Sequence, residues 1–68
     1  MPATIISLLI SIIPMIPSAT AEGINFIKMV RDLVNGAPAA DQPALAAQWA
    51  AMRQRVTDAD AAWQAAGI

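Results

Sequence analysis

Residues 4–17 read TIISLLISIIPMIP, and how this stretch is read decides the fold. Ten uncharged, mostly branched apolar residues from Thr4 to Ile13 run into two prolines three apart, Pro14 and Pro17. Working outward, Met1 to Ala21 carries no charged side chain, and all nine acidic and basic residues lie from Glu22 onward. Proline inside a helix removes a hydrogen bond and clashes with the preceding turn, costing about 3 kcal/mol. The stretch therefore predicts a short apolar helix ended by a bend. That bend should turn the chain back along the helix it has just made.

Four environments suit such a run. A spanning helix needs about 20 apolar residues to cross roughly 30 Å of hydrocarbon. Thr4 to Ile13 covers only about 15 Å at roughly 1.5 Å per residue, and extending it to Ala21 requires a kink. A signal peptide would use Ala19-Thr20-Ala21 as its small-x-small cleavage site, but no Lys or Arg precedes the run. A helix lying in a membrane interface would carry a basic polar face, which is missing. The leading expectation is a helix apolar all round and buried among protein chains, touching its partners through Ile5, Leu8, Leu9, Ile12 and Ile13. Pro2 suits its first turn, where a missing N–H costs nothing. Thr4, Ser7 and Ser11 share one face, and small hydroxyl residues there let another helix approach closely.

Size reinforces that expectation. The chain has 68 residues and contains neither cysteine nor histidine. Domains this small bury only about 60 % of their unfolded surface and usually rely on disulfides, metals or oligomerisation. Without Cys or His, self-association or membrane burial is the remaining support. The hydrophobic fraction is 57 %, though much of it is alanine, which favours helices more than cores. Net charge is −1, with four basic residues, Lys28, Arg31, Arg53 and Arg55. These are too few and too scattered to track a phosphate backbone, so no nucleic-acid partner is expected.

Beyond the bend, Ser18 is a candidate N-cap and Glu22 complements the positive helix end. Ile24, Ile27, Val30 and Val34 then recur at helical spacing, widened by Phe26 and Leu33. Lys28 and Asp32 are placed to pair across one turn. Asn35-Gly36 predicts a left-handed C-cap, and residues 37–41 form a linker. Asp41 and Pro43 open a third helix. Along it Leu45, Trp49, Met52, Val56, Ala59, Trp63 and Ala66 alternate +4 and +3, a seven-residue repeat over three heptads. Arg55 and Asp60 fall at positions that pair between parallel helices. Leu45, Trp49, Met52, Val56 and Trp63 complete the set of expected interaction residues. The two tryptophans either anchor in a partner's pocket or fill packing within the chain, and the second reading leads.

No catalytic, cofactor-binding or metal-binding set emerges. The nucleophile–base pairs that use Cys or His are excluded. Glu22, Asp32 and Asp41 are scattered, and Asp58 and Asp60 point to different helix faces. Asp58-Ala59-Asp60 lacks the glycine and distal glutamate of a calcium loop. The expectation is a protein that is not an enzyme and takes no cofactor.

An apolar N-terminal run, a proline break and a short helix ending in Asp58-Ala59-Asp60-Ala61-Ala62-Trp63 together resemble the small, alanine-rich, all-helical minor virion proteins of tailed bacteriophages. The resemblance extends along the chain in composition and element order. It implies a non-enzymatic component of a phage particle, internal, tail or capsid-associated, located in the virion or host cytoplasm. Such phage families also include small membrane lysis proteins. The alternative is therefore a holin-like or pore-forming oligomer that inserts Met1 to Ala21 into a bacterial membrane.

The sequence thus predicts an all-α protein of three helices, 3–16, 18–35 and 42–66, folded into helical hairpins. It divides the single small domain into 1–17, 18–36, 37–41 and 42–68. The C-terminal helix carries the heptad pattern. Partners are copies of itself and other proteins of an assembly, with membrane contact possible through residues 1–21.

Overall fold

A computed structural model describes residues 2–68; Met1, the first residue of the uncharged run, lies outside them. Every regular element in it is helical. Helix α1 spans Ala3–Ile12, α2 Ala21–Asn35, α3 Gln42–Arg55 and α4 Asp60–Ala65, with 3₁₀ turns at Ile13–Met15 and Thr57–Ala59. The chain is all-α, but with four α-helices where three were expected.

Pro2, extended at φ −61° and ψ 145°, caps α1 from just outside, so it precedes the first helical turn. The helix ends where Pro14 enters. The chain tightens into a 3₁₀ turn, with the Ile16 N–H donating to the Ile13 carbonyl at 3.2 Å. Ile16 is then extended, φ −107° and ψ 161°, as a residue before proline prefers. Together Pro14 and Pro17 make the predicted bend, and α1 packs against both α2 and α3.

Thr20, rather than Ser18, caps α2. Its Oγ1 accepts from the Gly23 N–H at 3.1 Å and donates to the Pro17 carbonyl at 2.8 Å. Ser18 is buried two residues earlier, inside the bend that Thr20 closes. The buried face of α2 is Gly23, Ile27, Val30 and Val34, with Ile24, Phe26 and Leu33 on its half-buried flanks. At its C-terminus Gly36 has φ −89° and ψ 0°, not the expected left-handed conformation. The helix ends instead by tightening, with the Ala37 N–H on the Val34 carbonyl at 3.2 Å. The Gln42 side-chain amide donates to the Asn35 and Ala37 carbonyls, both at 2.9 Å, satisfying oxygens a helix end leaves open.

The expected helix over 42–66 breaks at Val56, whose φ −122° and ψ 52° leave the helical region. Val56, Thr57 and Asp58 are weak helix formers, and a straight rod would be too long. Twenty-five residues at roughly 1.5 Å each make about 37 Å, against a greatest molecular extent of 31 Å. The break folds α4 back onto the body. Its end is a Schellman cap: Gly67 is left-handed at φ +82°, and the Ile68 N–H reaches the Trp63 carbonyl at 2.9 Å.

The core joins all the helices: Ile6, Ile10 and Ile13, then Ile27, Val30 and Val34, Leu45 and Met52, Ala59 and Trp63. Trp63, fully buried, is the largest of these. Its indole Nε1–H donates to the Ser18 carbonyl at 2.9 Å, tying α4 to the proline bend. Of the two readings of Trp63, packing within the chain is the one realised.

Candidate interaction surface

Helix α1 has two apolar faces, and only one is covered. Ile6, Ile10 and Ile13 point inward and are at most 2 % exposed. Ile5, Leu8 and Ile12 point outward at 43, 61 and 40 %, followed by Met15 at 83 %. These four recur at +3, +4, +3, one stripe along a helical surface. Ser11 belongs to the same exposed side, but its hydroxyl donates to the Leu8 carbonyl at 2.7 Å, so part of its polarity is spent on its own helix. Leu9 is half-buried at the other border.

The neighbouring flank of α2 extends the patch. Phe26, Met29 and Leu33 share that flank at +3 and +4, with Met29 46 % exposed. Leu33 lines a shallow groove together with Ile6 of α1, so this flank faces α1. On the opposite side of α1, between it and α3, lies an open groove of about 290 Å³ lined by Ser7, Ile10, Ser11, Pro14, Gln48, Ala51, Met52 and Arg55. Ser7 and Ser11 are too small to fill that space.

The ten residues expected to make contacts separate by burial. Ile5, Leu8 and Ile12 are exposed, whereas Leu9, Trp49 and Val56 are half-buried. Ile13, Leu45, Met52 and Trp63 lie in the chain's own core. Those four make their contacts within the chain, where α1, α2 and the folded-back α4 meet. Two exposed residues, Met15 and Met29, escaped the sequence reading. Met15 lies between the two prolines, where helical spacing gives no prediction, and Met29 lies outside the Ile24, Ile27, Val30 and Val34 repeat that marked the inward face.

Charged side chains make structural contacts here. Arg53 pairs with Asp60 at 3.4 Å, donates to the Ile68 carbonyl at 2.8 Å, and lies 5.8 Å from the Trp63 ring centroid. Arg31 donates to the Gly67 carbonyl, so two arginines hold the end of the chain. The Lys28–Asp32 pair is not formed among the described residues, and within the chain Asp60 pairs with Arg53. An exposed pair of this kind contributes only about 0–1 kcal/mol. No group of three or more acidic, Cys or His residues among the described residues could hold a metal. No described helix is long and apolar enough to cross a membrane.

Comparison with protein-family models, with curated proteins and with solved structures found no match.

Proposed function

We propose that this chain is a non-enzymatic structural protein, a multi-copy minor component of a phage particle or similar assembly. It docks through the outer face of α1. The observation that carries this reading is the stripe Ile5, Leu8, Ile12 and Met15, left uncovered while Ile6, Ile10 and Ile13 on the other side are buried. Surface leucines scattered singly need no explanation, but a contiguous apolar patch marks an interaction site. A non-catalytic role is supported by the residue inventory: no His, no Cys and carboxylates without a common site. Trp63 is withdrawn from docking because its indole is internal, so α1 carries the contact with only half-buried Trp49 beside it.

The second reading is a membrane-active oligomer, favoured by the same exposed face. Two features weigh against it. Helix α1 covers about 15 Å, half the hydrocarbon thickness, and no cation lies on it to meet anionic lipid. Fractionation after expression of the chain alone separates the two. A virion component stays in the soluble or aggregated fraction, is extracted by carbonate, and copurifies with particles when these are produced. A chain that resists carbonate extraction and arrests growth belongs to the membrane class, and the structural reading then fails.

A further inference from the structure

We propose that the occupant of the α1 outer face is a second copy of this chain, with the two α1 helices antiparallel about a two-fold axis between Leu8 and Ile12. This rests on the reading of α1 as a docking surface and names its partner. Three observations carry it. The first is area. At their observed exposures Ile5, Leu8, Ile12, Met15 and, on the adjoining flank of α2, Met29 leave roughly 500 Å² of apolar surface per copy, so pairing that covers the whole patch removes at most roughly 1,000 Å², about the threshold of a specific interface. That area is also at the upper end of what a monomer usually leaves uncovered.

The second is spacing. Residues at +3, +4, +3 form the narrow seam on which two helices interlock. A lipid surface, in contrast, rewards a broad apolar arc bordered by basic residues. The third is charge. Residues 1–21 are uncharged and the whole chain carries −1, so two copies meet face to face without repulsion and no anionic partner is attracted there.

The exposures also set the direction. Met15 stands out at 83 % and Ile5 is recessed at 43 %. An antiparallel pair places each protruding Met15 over the partner's Ile5 and Leu8 over the partner's Ile12. It also aligns the helix dipoles favourably. Such a two-fold contact is closed, so it stops at the dimer.

Sedimentation velocity from about 5 to about 200 µM, a range suited to an interface near the lower size limit, should show a reversible dimer of the wild-type chain. Leu8→Asp should weaken it at least about 30-fold by burying an unpaired carboxylate, with helical content by circular dichroism unchanged because Leu8 is exposed. The chain has no cysteine, which permits a second arm independent of that variant's folding. Ile5→Cys and Met15→Cys chains, mixed and mildly oxidised, should form the 5–15 disulfide in excess over 5–5 and 15–15. Gln54→Cys, on exposed α3, should remain uncross-linked. A wild type monomeric at about 200 µM, an excess of 5–5 disulfide, or equal cross-linking through position 54 would each overturn the proposal. For a monomeric result, vesicles of phosphatidylcholine and phosphatidylglycerol locate the failure. A monomer that binds them overturns the docking-protein reading too, whereas one that stays off them overturns only the self-pairing.

Discussion

At Gly23 an added Cβ would collide with the Pro17 carbonyl oxygen and lie 3.1 Å from the Ser18 Cα, both backbone atoms that cannot swing away. Alanine would raise helix propensity by about 1 kcal/mol at this position, but relieving the clash requires the bend to separate from α2. Overpacking of this kind costs about 1–3 kcal/mol, or more where backbone must move, and it also disturbs the Thr20 cap. Gly23→Ala should therefore destabilise by at least about 2 kcal/mol in urea denaturation. Gly36 provides the contrast. Its φ is negative, and a Cβ there would meet only the Asp32 carbonyl, at 3.3 Å. Gly36→Ala should change stability by less than about 1 kcal/mol. A large loss at Gly36 would mean that the left-handed cap expected from Asn35-Gly36 forms in solution after all.

Among the elements, the proline bend decides where α1 goes. Replacing Pro14 and Pro17 with alanine should let helix continue through residue 17, raise the helical circular dichroism signal and increase partitioning onto vesicles. The longer helix would carry Ile13 and Ser18 away from α2 and Trp63. If the double variant keeps wild-type partitioning and stability, the prolines do not set the fold. This bend was legible in the sequence because proline acts locally, through its ring and missing N–H. The inward residues of α2 were legible through their spacing. The break at Val56 was not, because periodicity reports which residues face inward and is silent on whether the helix is continuous. All seven positions of the C-terminal stripe, Leu45 to Ala66, are indeed buried or half-buried. They achieve this on two helices joined by a 3₁₀ turn, around the chain's own core. The Thr20 cap was missed for a similar reason: Ser18 and Thr20 are chemically equivalent caps, and the choice follows from a tertiary contact at Ser18.

For the whole molecule, the sequence overstated how little of the apolar run the chain can hide. Its own fold covers one face, with Ile6, Ile10 and Ile13 buried, and leaves the other open. Helices α2 and α3 cover that inner half, and Trp63 ties α4 to the bend that ends it. Trp63→Phe would remove buried volume and leave the Ser18 carbonyl without its donor, so a loss of about 2–3 kcal/mol is expected. For a chain this small, that corresponds to a fall in Tm of roughly 8–24 °C, read by thermal circular dichroism. A variant within a few degrees of wild type would show that the indole bond contributes little. The position of Trp63 along the chain also has a consequence during synthesis. The core cannot close until residue 63 has left the ribosome. At about 5–20 residues per second, the 45 residues separating Ser18 from Trp63 take roughly 2–9 s to add. Until then the indole bond that holds α4 to the bend is missing, and α1 has only α2 and α3 to cover its inner face. The last core side chain to be made is thus also its largest, and the helices made before it wait for it.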